Sequence, residues 1–409
     1  MDSFDYILSG IKLIMIVKPR FRDFICVTAH AEGCRRNVLE QIKYIEKFKL
    51  RNKFKRVLVI GASTGYGLSS RIVSTFGCRA HTIGIIFEKN ASRNKTATAG
   101  WYNTAAFEQA ALDKGYYSKT INGDAFSKEI KDKTVELIKK DFGKLDLVIY
   151  SISAPRRRDP FSGEIYYSAL KPIGNVYKNK TVNFHTFEVS NIEIEPANQD
   201  EIDGTIKVMG GQDWELWIDR LMEENLLEKG ANTIAYSYIG PEITHPIYRH
   251  GTIGKAKEDL EDTSLRIDYK LKAVDGKAFI SINKALVTQS SSAIPVVPLY
   301  ISVLDKVVKE KNIQEDSIEQ IYRLFSKISN ENLNLDEKNR IRLDDREMRK
   351  DVQDEVKYIW DRITTENILE LTNIKEFRED FFKLFGFGYK DIDYEKDIDI
   401  SVNIENIIL

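Results

Sequence analysis

Cysteine is scarce in this chain, with three in 409 residues at Cys26, Cys34 and Cys78. An odd number at no ligand spacing supports neither a disulfide framework nor a thiolate metal site, and it fits a reducing cytoplasm. Histidine is nearly as scarce: there are five, and only His245 and His250 lie close together. No cluster of His, Cys and carboxylate has metal-ligand spacing, so no metal is expected. Net charge is almost absent, at −1 from 61 basic and 62 acidic residues. Such a chain offers no global field for nucleic acid or for an acidic membrane surface. No apolar run reaches the roughly 18 residues that a membrane span requires. Met1 to Ile14 carries one base, Lys12, and no small-residue cleavage site, which makes it a poor signal peptide. Met15 opens a more regular segment, so residues 1–14 read as a loose extension before the usual start.

What is present is a sizeable core, with 42% hydrophobic residues, 20 Phe and 19 Tyr. The most informative stretch is Val57-Leu-Val-Ile-Gly-Ala-Ser-Thr-Gly-Tyr-Gly67. Four branched or long apolar residues make a buried strand. Gly61, Gly65 and Gly67 follow, and a helical pattern begins at Leu68. A strand, a glycine turn and a helix in that order make a pyrophosphate site. Glycine lets the backbone approach the phosphates, and the helix N-terminus presents free N–H groups. The spacing G-x-x-x-G-x-G is the variant associated with short-chain reductases, not G-x-G-x-x-G.

Further buried strands follow at His81 to Glu88, Tyr117 to Gly123, Asp146 to Ser151, Thr233 to Gly240 and Ala278 to Val287, which is expected to be the last. Helical patterns separate them, at 105–114, around Ile130 to Ile138, from Gln212 to Glu228 and at 253–274. Gly100 to Asn103 reads as a loop. This alternation predicts an α/β fold, a Rossmann-type doubly wound parallel sheet. Residues 155–211 are polar and turn-rich, with Pro155, Pro160, Pro172 and Pro196, and read as an insertion. Residues 294–387 read as mostly helical. With no repeat and no low-complexity linker, residues 15–409 read as one elaborated domain.

In such a fold the residue ending the second strand faces the adenosine ribose. Here it is Glu88, 21 positions after Gly67. A carboxylate accepts from the ribose hydroxyls and repels a 2′-phosphate, which predicts NADH over NADPH. Asp124 and Ala125 should border the adenine, and Ser151 to Ala154 should pass beneath the cofactor. The chemistry needs a tyrosine acid beside the substrate carbonyl. It also needs a lysine that binds the nicotinamide ribose and favours the phenolate. Tyr167-x3-Lys171 has a short-chain dehydrogenase spacing but lies too soon after Ser151. Tyr248-x6-Lys255 and Tyr248-x8-Lys257 both follow the strand at 233–240. On a helix Lys255 and Lys257 point about 200° apart, so only one faces the site; spacing alone does not choose.

The segment Ala235-Tyr-Ser-Tyr-Ile-Gly-Pro-Glu-Ile-Thr-His-Pro-Ile-Tyr-Arg-His-Gly-Thr-Ile-Gly-Lys-Ala-Lys-Glu-Asp-Leu260 resembles the single-chain trans-2-enoyl-CoA reductases and the related V-type enoyl-ACP reductases. Gly100-Trp-Tyr-Asn103, Ser153-Ala-Pro-Arg-Arg157, Val208-Met-Gly-Gly-Gln-Asp-Trp214 and Ala293-Ile-Pro-Val-Val-Pro-Leu-Tyr300 extend the likeness along the chain. The resemblance implies Tyr248 and Lys257 as the catalytic pair and Tyr238 as a substrate-binding tyrosine. It implies cofactor contacts at Gly61, Ala62, Ser63, Thr64, Gly65, Tyr66, Phe87, Glu88, Asp124, Ala125, Ile152, Ser153, Lys257, Leu286, Val287 and Thr288. Residue 152 is more often Leu in that family.

The activity implied is NADH-dependent reduction of the carbon–carbon double bond of trans-2-enoyl thioesters. The carrier is CoA or acyl carrier protein, and neither composition nor motif separates them. A carbonyl reductase would have to use Tyr167 and Lys171, whose position argues against it. A non-catalytic NADH sensor has no need of the Tyr248/Lys257 pair. Ile294 to Leu304 is expected to line an acyl channel, and Arg156-Arg157-Arg158 reads as a solvated turn. His245 and His250 read as structural, the acidic stretch Asp391 to Asp399 as surface, and the chain as a cytoplasmic monomer.

Overall fold

The computed structural model describes residues 13–22, 25–48, 50, 53–329 and 333–409. Its centre is one eight-stranded sheet built from β1 (Arg56–Ile60), β2 (His81–Ile86), β3 (Ser118–Asn122), β4 (Leu145–Tyr150), β5 (Leu227–Ser237), β6 (Lys277–Ile282), β7 (Arg340–Arg342) and β8 (Ile407–Ile408). The order is β7-β6-β5-β4-β1-β2-β3-β8, and every pairing is parallel. Strand order reverses between β1 and β4, the place where open α/β sheets leave a crevice at their C-terminal ends. This is the doubly wound sheet expected from the strand–helix alternation.

Alternation along β1 explains why the sheet is buried on both faces. Val57 and Val59 join one core cluster, whereas Leu58 and Ile60 join the other. Arg71, on the helix Gly65–Ile72, lies against the face of the sheet where β2 carries Gly84. A Cβ there would lie 2.6 Å from Arg71 Nη1. The guanidinium is fully buried and pairs with buried Glu108 at 2.6 Å, locking the helix Gly65–Ile72 to the helix Ala99–Asp113.

Several boundaries move. Gly100 to Asn103 is not a loop but the first turn of the helix Ala99–Asp113. Glycine leaves room there for the Glu88 carboxylate, whose Oε1 a Cβ would meet at 2.0 Å. The strand at 278–287 ends at Ile282 and is not the last, because β7 and β8 add an edge on each side. The 155–211 region holds two antiparallel hairpins, Arg156–Arg158 with Ile165–Tyr167 and Tyr177–Asn183 with Glu188–Ile194, followed by the helix Gln199–Met209. Residues 1–12 of the expected extension lie outside the described residues. Ile14–Ile16 is a strand pairing antiparallel with Asp397–Asp399. The acidic stretch is therefore not all surface, and Ile398 and Ile400 are buried.

Candidate active site

The crevice begins where the chain leaves β1. Gly61 has φ +85°, and a Cβ on it would lie 2.2 Å from the Ser151 carbonyl oxygen at the end of β4. A Cβ on Gly67 would lie 1.8 Å from the Gly61 carbonyl oxygen. These two glycines let the turn close on itself. Gly65 differs: its φ is +52°, and a Cβ there would meet nothing within 4 Å. Thr64 precedes the helix Gly65–Ile72 in an extended conformation and places no side-chain cap on it. The first-turn N–H groups are thus open to an anion, helped by the helix dipole. A cradle that only glycine fits, beside an uncapped helix start, suits a dinucleotide pyrophosphate.

Other residues expected at the cofactor gather around this turn. Ser63 Oγ donates to Glu88 Oε1 at 2.6 Å, and the Glu88 N–H donates to Asn122 Oδ1 at 2.9 Å. Burial pushes the Glu88 carboxyl up, against the pull of Ser63 and Thr98. Phe87 turns outward and is 75% exposed. Asp124 Oδ1 accepts from the Phe126 N–H at 3.0 Å, and the Ala125 carbonyl accepts from Lys131 Nζ at 2.8 Å. Ile152 Cδ1 lies 3.4 Å from where a Gly61 Cβ would stand. Ser153 Oγ lies 3.5 Å from Ser290 Oγ, which ties the β4 end to the segment after β6. Within that segment Ser291 Oγ donates to the Leu286 carbonyl, and Thr288 caps the helix Gln289–Ser292, with Val287 between them. The Tyr66 hydroxyl reaches the same segment at the Lys284 carbonyl, at 2.8 Å.

The two lysines separate cleanly. Lys255 is exposed and pairs with Glu258 at 2.8 Å. Lys257 is buried on the inner face of the helix Thr252–Leu271, with one hydrogen bond, to the Tyr236 carbonyl at 3.4 Å. Burial pushes its ammonium down to about 8. Tyr248 sits in the turn between β5 and that helix, its ring edge-on to Tyr238 at 4.9 Å. Burial, then the nearby Glu347 charge, pushes its hydroxyl up to about 12. In the insertion, Tyr167 is exposed and Lys171 pairs with Glu201 at 2.6 Å. His245 holds the Gly240 carbonyl at 3.0 Å and stacks on His250. A cavity of about 460 Å³ lies between Ile173, Val176 and Tyr177 on one side and Glu242, His245 and His250 on the other.

Arg156 and Arg158 are solvated as expected, but Arg157 is buried and donates to the Lys207 carbonyl and Gln212 Oε1. The Ile294 to Leu304 stretch forms a buried helix from Val297. Sequence reasoning missed Glu347. It is buried and accepts from Tyr238 and from Tyr300, yet it sits in the charge-dense run Asp344 to Lys350, whose pattern reads as surface. Among the described residues no group of three His, Cys, Asp or Glu could hold a metal, and no helix is long and apolar enough to cross a membrane.

Three family models match the chain. They describe the NAD(P)H binding domain of trans-2-enoyl-CoA reductase over residues 16–93, the trans-2-enoyl-CoA reductase catalytic region over 95–329, and an enoyl reductase FAD binding domain over 335–398. A trans-2-enoyl-CoA reductase [NADH] of Ruminiclostridium cellulolyticum is 56% identical, covering 96% of this chain and 100% of its own. An enoyl-[acyl-carrier-protein] reductase [NADH] of Coxiella burnetii is also 56% identical, covering 96% and 98%. The crystal structure of the Treponema denticola trans-2-enoyl-CoA reductase with NAD matches with a TM-score of 0.92 at 47% identity, over 96% of this chain and 100% of that one.

Proposed function

The chain belongs to the trans-2-enoyl-CoA reductase family, and from that premise we propose that it reduces the carbon–carbon double bond of trans-2-enoyl-CoA with NADH, using Tyr248 as the proton donor. NADH, when bound, supplies the hydride that adds to the β-carbon. The uncapped helix start at Gly65 and the glycine cradle hold the pyrophosphate. Glu88 accepts from the adenosine ribose hydroxyls and disfavours a 2′-phosphate. Asp124 and Ala125 border the adenine, and Ile152, Ser153 and Leu286 to Thr288 line the nicotinamide end.

Reduction leaves negative charge on the thioester carbonyl oxygen. Tyr248 donates its proton to that oxygen, and tautomerisation of the resulting enol places a proton on the α-carbon. One preorganised donor of this kind is worth roughly 3–4 kcal/mol of barrier. Lys257 orients the nicotinamide ribose and, as a cation, favours the tyrosinate left after proton transfer. Tyr238 forms the wall beside Tyr248. The cavity between residues 172–177 and the Tyr248 turn is the entry for the thioester arm. The buried stretch from Ile294 forms the far wall for the acyl chain.

The observation that carries this reading is the placement of Lys257: it is the buried lysine on the helix that follows the Tyr248 turn, while Lys255 is on the surface. Reduction of an acyl-carrier-protein thioester is the second reading, and the Coxiella burnetii relative favours it at the same identity. The matched FAD-domain region offers no comparable cradle. Its two glycines, Gly386 and Gly388, follow the helix Ile374–Lys383, and none stands between the strand Arg340–Arg342 and the helix Lys350–Arg362. We read residues 15–409 as one reductase unit, a cytoplasmic monomer.

The test follows NADH consumption with crotonyl-CoA, a longer enoyl-CoA and an enoyl-ACP. Fast turnover of crotonyl-CoA places the enzyme in short-chain, butyrate-type reduction. Turnover with the ACP substrate alone places it in fatty-acid synthesis. No NADH loss with any of them overturns the reading.

A further inference from the structure

Glu347 is a fully buried carboxylate at which several parts of the site meet. The Tyr238 hydroxyl donates to Oε1 at 2.8 Å, and the Tyr300 hydroxyl donates to the same oxygen at 2.7 Å. The Ala285 N–H donates to Oε2 at 2.8 Å. Gln353 Nε2 braces the arrangement, donating to the Tyr300 oxygen at 3.2 Å and to the Glu347 carbonyl at 2.7 Å. Three donors on one carboxylate match an acceptor-only, ionised group. Each donor comes from a different element. Tyr238 follows β5, Ala285 opens the segment running to Thr288, and Tyr300 lies on the helix Val297–Glu310.

A tyrosine hydroxyl has one proton to give. In Tyr238 that proton points to Glu347, so Tyr238 offers only lone pairs to anything else near its oxygen. Negative charge growing on a carbonyl oxygen requires a donor, not a second acceptor. The Tyr238 ring meets Tyr248 edge-on, so the group that fixes Tyr238 also fixes the surface against which Tyr248 rests.

We propose that Glu347 is a positioning residue of this reductase: it takes the proton of Tyr238, holds that ring against Tyr248, and leaves Tyr248 as the one tyrosine that donates to the substrate oxygen. The proposal rests on the reading of Tyr248 as the proton donor. It gives Tyr238, expected as a substrate-binding tyrosine, the part of a wall whose hydroxyl is already engaged.

The charges around this pair give the test its direction. Glu347 faces Tyr238, Tyr300, Tyr66 and Lys284, and the Lys284 ammonium donates to the Glu315 carbonyl at 3.0 Å. Tyr248 has His245, Arg249 and His250 in its own turn, Lys257 on the next helix, and Tyr238 and Glu347 packed from other elements. Glu347 is the negative charge that raises the Tyr248 hydroxyl, so neutralising it lowers the pH at which Tyr248 loses its proton.

Glu347→Gln, Tyr238→Phe and Tyr248→Phe are compared in the full chain with NADH and crotonyl-CoA, from neutral to alkaline pH. Tyr248→Phe should lose at least about a hundredfold in kcat. Tyr238→Phe should lose less than about tenfold, because its hydroxyl donates to no substrate atom. The alkaline side of kcat/KM has a lower step from Lys257, at about 8, and an upper step from Tyr248, at about 12; Glu347→Gln should bring only the upper step down. The double variant Glu347→Gln/Tyr238→Phe should lose no more than Glu347→Gln alone, since both act through one contact. An unmoved upper step makes Glu347 merely structural and overturns the proposal. A loss in Tyr238→Phe equal to that in Tyr248→Phe also overturns it, by making Tyr238 a donor in its own right. Wild-type turnover in Tyr248→Phe is a different result and sinks the catalytic assignment beneath it. If Glu347→Gln does not fold, Tyr238→Phe decides, because it removes one hydroxyl and leaves the carboxylate in place.

Discussion

Replacing Lys257 with Met should make the cofactor-free enzyme more stable while destroying its activity. Lys257 has one long hydrogen bond, 3.4 Å to the Tyr236 carbonyl. Burial pushes its ammonium from 10.5 down to about 8. That gap of about 2.5 units, at about 1.36 kcal/mol each, is a folding penalty of about 3 kcal/mol. The sign follows from linkage. The unfolded chain holds this proton more tightly, so the penalty is fully present below pH 8. It declines between pH 8 and 10.5 and vanishes above. Methionine fills similar space without a charge. An unfolding entropy of about 2.1 cal/mol/K per residue gives about 0.9 kcal/mol/K for a chain of this length, so Tm should rise by about 3–4 °C at pH 7. Calorimetry at pH 7 and above pH 10.5, beside an NADH-oxidation assay, measures both effects. A Tm at pH 7 that is unchanged or lower refutes the desolvation argument, as does a gain that persists above pH 10.5. The same reasoning makes NADH affinity fall as pH rises past about 8, because ribose hydroxyls stabilise the charged lysine and binding takes up a proton.

Gly65→Ala should raise the NADH dissociation constant at least about tenfold, since its Cβ would enter the open space at the helix start, for a folding cost of about 1 kcal/mol. Gly115→Ala, also left-handed and open at φ +70°, has the same backbone cost and should leave NADH affinity unchanged; a fluorescence titration separates the two. Gly84→Ala drives a methyl to 2.6 Å from the Arg71 guanidinium and crowds the buried Arg71–Glu108 pair, so urea denaturation should show a loss of about 1–3 kcal/mol. Glu88→Ser should raise the NADPH/NADH ratio of kcat/KM by about tenfold or more; an unchanged ratio means that Glu88 does not face the ribose.

What was legible in the sequence was whatever local chemistry dictates. The glycine turn after β1 could be read because only glycine tolerates a φ of +85° and a carbonyl 2.2 Å from its Cβ position. Six of the eight sheet strands announced themselves as buried apolar runs. β7 and β8 did not, since three and two residues are too few to carry a period, and their place is set by β6 and β3. The helix start at Ala99 was hidden because Gly100 reads as a turn residue. Its purpose, room for the Glu88 carboxylate, exists only once the two segments meet. The choice between Lys255 and Lys257 was open for the same reason: helical spacing says that they face opposite ways, and only the packed sheet says which way is inward.

Glu347 marks the limit of motif reading at the site itself. The motif around Tyr238 and Tyr248 says that two tyrosines stand near the substrate. It does not say where their protons go, because that depends on a carboxylate about a hundred residues downstream in a run of charges. Counting donors settles what a motif leaves open. One carboxylate oxygen that accepts from both Tyr238 and Tyr300 has used the proton each could offer elsewhere. Tyr248 is then the residue at the Tyr238–Tyr248 contact whose hydroxyl proton is uncommitted to Glu347. It follows that two tyrosines of equal standing in the motif should differ by at least about tenfold in what their hydroxyls contribute to turnover.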